Sequence, residues 1–511
     1  MFVAAGILIS RVAGFVRMRV FAYYFGLSDE ADAFNASFRI PNFLQNMFGD
    51  GAMSSSFIPV YASLVARGER READRVAGAV FSLVATVAAV LVLLAVLGTP
   101  HLIAVVAPGF TGAKRELAIR LTRVLFPGAG MLVLSAWCLA VLSSHHRFML
   151  SYAAPVMWNA CMIGTLLVFG SGTELPALAY ALAWGSVAGS AAQFLAQVPA
   201  VLRVAPDLRI VWDTASVHVR TAVRNFVPVF FSRGVVQISV YIDALLASLL
   251  PTGAVSGISS AALLYTLPIS LFGVSVAASE LPAMSGVAAL DAGATAGVRT
   301  RLEAAVRRVA FFVVPSSIAL LALGDVVAAA VLQTGRFTRA DATYVWAILA
   351  GASFGLLANT LGRVYSSTYY ALRDTRSPLR FALARVSMTT VLGYVFAIPL
   401  PHMLGVDPRW GAAGLTASSG IAGWCEMALL RGGLWKRIGR ASMPWSYLVS
   451  LWLAALAGAG VGWGIKLAMP EVHPIVLGVA VLVPYGLTYF AITLGLGIPE
   501  AQATVKRALR R

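Results

Sequence analysis

The sequence predicts an all-α polytopic membrane protein with about fourteen transmembrane helices, arranged as two pseudo-symmetric six-helix lobes plus two C-terminal helices. Three observations carry this prediction. The chain of 511 residues is 59% hydrophobic and only 12% charged, whereas soluble domains carry about 25% charged residues. Apolar runs long enough to cross a hydrocarbon core of about 30 Å recur from end to end, and lipid leaves backbone groups no partner outside a helix. Basic residues, finally, are concentrated in alternate connections.

Taken in order, the spans start near residues 4, 30, 75, 118, 149, 177, 218, 254, 300, 340, 378, 410, 444 and 474. The first connection, Gly26 to Glu30, has no Lys or Arg, while the second, Ala66 to Arg75, has four. By these boundaries the even-numbered connections plus the C-terminal tail hold roughly 24 Lys/Arg and the odd-numbered ones roughly 5, which places both termini in the cytoplasm. The net charge of +17 therefore reports topology and contact with anionic headgroups, as in Lys436, Arg437 and Arg440 or the tail Lys506 to Arg511, and not nucleic-acid binding. The N-terminal run has no charged leader and is interrupted by Arg11, Arg17 and Arg19, so it reads as a first transmembrane helix and not as a cleavable signal. Cys138, Cys161 and Cys425 all fall in apolar spans and suggest neither a disulfide framework nor a metal site.

Internal echoes support the two-lobe division. Ser10-Arg11 in the first helix recurs as Ser232-Arg233 in the seventh, and the fourth and fifth helices, joined through SSHHRFMLSYAAP, resemble the tenth and eleventh, joined through YYALRDTRSPLR. The expected units are 1–205, 216–440 and a third piece, 441–511, with two further helices and a basic tail. Parallel repeats of this kind place a binding site near the bilayer midplane.

The polar residues within the spans are candidates for that site. Asp32, Asn35, Arg39, Asn42 and Asn46 fall at helical spacing and form one stripe on the second helix, and Pro41 is expected to interrupt that helix. A central Arg or Asp costs about 2.5 to 3.5 kcal/mol on insertion scales, so the stripe must face protein or water. Asp32 and Arg39 could simply pair with neighbours and fix packing. Arg11, Arg17 and Arg19 tilt the balance toward ligand binding, because they bring the count to four guanidinium groups against one nearby acid. The planar guanidinium fork suits phosphate, so an anionic, phosphate-bearing ligand is expected. Further along lie Arg233, Asp243, Glu280, Arg363, Arg385 and Glu426. Asp243, in VYIDALLASLL, is either a cation or proton site or one end of an interhelical salt bridge. The chain has no phosphate-binding glycine loop of the Walker type, and His145-His146-Arg147 reads as a polar turn.

Several segments resemble the MurJ (MviN) family of bacterial lipid II flippases, within the multidrug/oligosaccharidyl-lipid/polysaccharide exporter superfamily: SRVAGFVR, ADAFNASFRIPNFLQNMFGDGAMSSSFIPVY, HHRFMLSYAAPVMWNACMIG, LQTGRFT and YYALRDTRSP. The resemblance implies a fourteen-helix, two-lobed membrane protein with a cationic cavity. It implies alternating-access movement of the lipid-linked peptidoglycan precursor from the inner to the outer leaflet of the cytoplasmic membrane, for cell-wall synthesis. It further implies that Arg11, Arg17, Asp32, Arg39 and Asn42 are the substrate-binding residues, and that Asp243 matches an aspartate of a sodium site in some members. No catalytic residue or resident cofactor follows from it. A sodium or proton gradient or the membrane potential would drive transport, and the expected partners are lipid II, the membrane and cell-wall synthesis proteins. The chain departs from the family pattern at Gln45 and Leu263, where arginines are usual, and at Gly393, where an acid or amide is usual. Transport of another polyprenyl-linked glycolipid or a small molecule, or a non-transporting scaffold role, are the alternative readings.

Overall fold

The computed structural model describes residues 2–48, 53, 55–145, 147, 153–213, 215–290, 295–440, 443–469 and 472–509. These residues are helical almost throughout. In order they form α1 (Phe2–Phe25), α2 (Asp29–Phe48), the short α3 (Ile58–Ala66), α4 (Arg70–Val106), α5 (Gly112–Ser144), α6 (Pro155–Phe169), α7 (Leu175–Val204) and α8 (Val217–Ser248). Then come α9 (Ala254–Pro268), a π-helical segment (Ile269–Val274), α10 (Ser275–Leu290), α11 (Thr295–Ala322), α12 (Gly324–Leu332), α13 (Arg339–Phe354) and α14 (Leu356–Ala371). The chain closes with α15 (Arg376–Ala397), α16 (Pro399–Met403), α17 (Gly411–Ile438), α18 (Trp445–Ala468), α19 (Pro474–Gly495) and α20 (Pro499–Leu509).

Each of the fourteen expected span starts lies within six residues of the start of one of these helices. By length and composition, eight helices among the described residues can cross a membrane, or nine if α13 and α14, bent by 41°, form one broken span. One expectation is overturned. Helix α2 runs on through Pro41 to Phe48, because a proline removes only one intrahelical donor, here the partner of the Ser37 carbonyl, and the turns on either side carry on.

By contacts, the chain divides into two compact units. The first is Met1–Ser256 with Thr334–Phe337, and the second is Gly257–Gln333 with Thr338–Arg511. In the first, α5 is central and packs against α2, α4 and α7, while α6 lies against α7 and α1. Small residues allow this close approach, as expected of helices in lipid. A side chain at Gly189 of α7 would come within 3.0 Å of the Trp158 backbone, and one at Gly185 would strike Thr165. Interhelical hydrogen bonds add specificity: Gln193 and Gln197 both donate to Ser135 Oγ, at 3.0 and 2.9 Å.

In the second unit, α17 packs against α13, α14 and α15, and α18 and α19 pack against each other and on α11 and α12. Pro315 within α11 leaves the Phe311 carbonyl without its intrahelical donor. The Tyr489 hydroxyl donates to that carbonyl at 2.6 Å, and the Tyr485 hydroxyl donates to the carbonyl of Pro315 itself at 2.6 Å. The one carbonyl that Pro315 deprives of a donor is thus served by a phenol from α19, and a second phenol adds a bond beside it.

The connections sort into two sets within each unit. In the first unit, the odd-numbered connections and their flanks meet each other: Thr252 Oγ1 donates to Asp29 at 2.8 Å, Lys114 bridges Asp29 at 2.8 Å, and the Arg336 amide donates to the Tyr23 carbonyl at 2.8 Å. Even-numbered ones likewise meet: Arg75 bridges Asp213 at 2.8 Å, the Asp207 amide donates to Asp74 at 3.1 Å, and Tyr61 Oη lies 2.9 Å from His145 Nε2. In the second unit, Lys466 bridges Asp325 at 2.5 Å on the odd side, and Arg437 bridges Asp374 at 2.7 Å on the even side.

The even-side turn at 372–375 carries its own pH dependence. Asp374 accepts from the Ser377 hydroxyl at 2.6 Å, the Ser377 amide at 3.0 Å and the Arg376 amide at 2.9 Å. These bonds, with Arg437 beside them, hold its carboxyl at about 2. A depressed carboxyl stabilises the fold fully above its unfolded value of about 4 and loses that contribution as pH falls toward about 2. Hydrogen exchange in residues 372–377, taken relative to the intrinsic rate at each pH, should therefore accelerate between about pH 4 and 2 in the wild type. In Asp374→Asn it should already be fast at pH 5, and unchanged exchange there would show that the carboxylate does not hold this turn.

Candidate functional site

The candidate residues of the first unit lie on α1, α2 and α8. On α1, Arg11 is exposed, while Arg17 and Arg19 are half-buried. Arg17 sits in a built seat: its Nε donates to Asn159 Oδ1 at 2.9 Å, its Nη1 lies 3.9 Å from Met162 Sδ, and its guanidinium carbon stands 4.8 Å from the centre of the Trp158 ring. All three partners belong to one face of α6. Asn159 Nδ2 donates to the Pro155 carbonyl at 3.0 Å, which fixes the amide so that its oxygen faces the arginine. The Trp158 indole donates to Ser186 Oγ at 3.1 Å, and Phe38 of α2 packs 5.6 Å from the Trp158 ring. Uncharged groups thus orient the Arg17 guanidinium without neutralising it.

Along α2 the polar stripe grades from closed to open. Asp32 is 1% exposed, Asn35, Arg39 and Asn42 are half-buried, and Asn46 is exposed. The Asp32 carboxylate is fully engaged by protein: Oδ1 accepts from the Ser256 amide and hydroxyl, both at 2.7 Å, and Oδ2 accepts from the Gly253 amide and Lys114 Nζ, both at 2.8 Å. It caps the first turn of α9, where unpaired amides and the helix dipole favour an anion. Asp32 therefore balances Lys114 and a helix terminus.

Arg39 is reached through its backbone: the Tyr241 hydroxyl of α8 donates to its carbonyl at 2.8 Å, and the Tyr241 ring meets Phe43 edge-on at 5.4 Å. Asp243 is half-buried two residues further along α8. Among the described residues, no group of three or more His, Cys, Asp or Glu side chains is placed to hold a metal ion. The side chain of Arg233 and the whole of His146 lie outside the described residues.

In the second unit, Glu280 lies 3.5 Å from Arg301 and 3.7 Å from Arg308, and Arg385 lies 3.2 Å from Glu426. The structure thus joins Arg17 to α6 and Asp32 to α5 and α9. Trp158, Asn159, Lys114 and Ser256 are the contact partners of these candidates that sequence reasoning passed over. Asn159 stood in a quoted motif, but nothing in a single sequence marks it as a partner of a residue 142 positions away.

A family model described as lipid II flippase MurJ matches residues 21–481 of the chain. The chain belongs to the MurJ family. Among relatives of MurJ type, the lipid II flippase MurJ of Burkholderia cenocepacia is 31% identical over 97% of this chain and 96% of its own length. The probable lipid II flippase MurJ of Vibrio cholerae is 29% identical over 97% and 95%. A solved lipid II flippase MurJ in an inward closed conformation shares the fold with a TM-score of 0.78 at 22% identity, covering 100% of this chain and 99% of that one. An inward-facing multidrug resistance transporter of the MATE family, in the MOP superfamily, is similar in fold over 83% of this chain, with a TM-score of 0.63. Against the MurJ pattern, Gln45 is half-buried on α2, Leu263 half-buried on α9, and Gly393 buried on α15.

Proposed function

We propose that this multi-pass helical membrane protein moves lipid II, the polyprenyl-diphosphate-linked peptidoglycan precursor, from the inner to the outer leaflet of the cytoplasmic membrane by alternating access. Membership of the lipid II flippase family supports the reading. The single structural observation that carries it is Arg17, a guanidinium seated within the helices of the first unit by Asn159, Met162 and Trp158, none of which carries charge.

In this reading Arg11, Arg17 and Arg39 hold the diphosphate and Asn42 orients it. Asp32 is a latch, gripping Lys114 and the first turn of α9 where odd-numbered connections meet. Both termini face the cytoplasm, as the basic even-numbered connections require. The repeat lobes are 1–205 and 216–440, followed by 441–511; contact-based units divide elsewhere because α8 packs on α4 and α2. The Gln45 and Leu263 positions favour a second reading, in which the cargo is a related polyprenyl-diphosphate glycolipid.

The test is complementation of a flippase-depleted bacterium with leaflet-specific detection of lipid II. Restored growth with lipid II in the outer leaflet is the expected result. Stable insertion with lipid II retained in the inner leaflet would refute lipid II as the cargo and leave the related glycolipid.

A further inference from the structure

The second unit carries a polar cluster that the reading above does not use. Arg385 of α15 lies 3.2 Å from Glu426 of α17, and α14, which packs against α17, carries a second guanidinium, Arg363, within electrostatic range of both and of Tyr265 on α9. Their depths agree. Helices α14 and α17 end, and α15 begins, at the even-numbered connections that the Asp374–Arg437 bridge ties together. Measured from that end at 1.5 Å per residue, Arg363 lies about 12 Å in, Arg385 about 14 Å and Glu426 about 18 Å. All three groups are thus well inside the helices, where charge is retained for a functional reason more often than not.

The charges do not balance. Glu426 bonds Arg385 Nη1 at 3.2 Å, and Arg363 has the same two groups as its charged neighbours. Glu426 thus bonds one guanidinium while its charge also acts on a second. Arg385 Nε is buried with no acceptor, a deficit that a nearby negative charge would relieve. The heads remain reachable: the Arg385 side chain is 32% exposed, and Arg363 is exposed. A purely structural pair would need only one of the arginines.

We propose that Arg363 and Arg385, braced by Glu426, form an anion subsite in the second unit that takes a phosphate or diphosphate group. The subsite deepens the proposed function and rests on the reading that the cargo carries a diphosphate. It also gives a physical sense to Leu263. That position lies two residues before Tyr265 on α9, so the cationic charge absent from α9 is present on α14, within electrostatic range of Tyr265. Glu426 acts as a positioning residue: it holds the Arg385 fork and competes with the anion for it.

The probes are inorganic diphosphate and farnesyl diphosphate, titrated against the full chain in zwitterionic nanodiscs. Replacing both members of the pair, Arg385→Gln with Glu426→Gln, removes one cation and leaves no charge stranded, and matched thermal unfolding confirms the fold. This double variant should bind both probes about tenfold more weakly than wild type. Arg385→Lys should recover part of the loss, since it keeps the charge without the fork. Glu426→Gln alone should bind more tightly, an effect that a merely structural salt bridge would not produce. Unchanged affinity for inorganic diphosphate in the double variant overturns the subsite. If Arg17→Ala then still weakens farnesyl diphosphate, the proposed function stands without it. If only the double variant weakens binding, the subsite stands and the role of Arg17 falls.

Discussion

Arg17→Ala inserts and folds like the wild type but loses glycolipid binding and translocation, by about thirtyfold or more, the range for truncating one partner of a desolvated charged contact. The fold survives because the seat of Arg17 is self-supporting: Asn159 keeps its bond to the Pro155 carbonyl, and Trp158 keeps Ser186 and Phe38. What disappears is a cation whose orientation was already fixed, so the loss falls on the ligand and not on the helix bundle. Arg17→Lys should be intermediate, because an ammonium retains charge but cannot make the Nε bond and stack together. Binding is read with a fluorescent polyprenyl diphosphate at matched expression, and translocation by accessibility of the headgroup from outside. Wild-type values for Arg17→Ala would remove the residue from the site.

Asp32→Ala has the opposite signature, with structure failing first. Its carboxylate is 1% exposed and accepts four hydrogen bonds, from Lys114, Gly253 and twice from Ser256. Lys114 keeps Asp29 as a partner at 2.8 Å, but the first-turn amides of α9 are left without an acceptor. The cost of breaking such a buried charged network is about 3 to 5 kcal/mol. Hydrogen exchange at residues 253–256 should rise sharply and transport should cease, because this end of the first unit no longer closes. Asp32→Asn should fail nearly as badly, since an amide lacks the charge and presents donors to donors. Normal exchange at 253–256 in either variant would dismiss the latch.

Much of the fold was legible because lipid leaves a chain so few options. Apolar run length marked the helices, each expected start falling within six residues of an observed one. The polar stripe on α2 was legible for the same reason: spacing alone puts Asp32, Asn35, Arg39 and Asn42 on one line. The partners were not. Asp32 was legible as a group that could pair with neighbours, but not as the cap of a helix that begins 222 residues later in the chain, because local spacing carries no information about such a contact. Pro41 read as a break, since a proline's effect depends on whether the neighbouring turns are held, as they are in α2. The seat of Arg17 needed Trp158 and Asn159 on a helix whose sequence shows only an apolar run with one amide in it.

Pro315 has a consequence for biogenesis. The phenols that serve the α11 carbonyls come from Tyr485 and Tyr489, so α11 leaves the ribosome about 170 residues before its donors. At 5 to 20 residues per second this is a wait of roughly ten to thirty seconds. During that interval the second unit is translated but incomplete, and the Phe311 carbonyl waits for the donor that α19 brings.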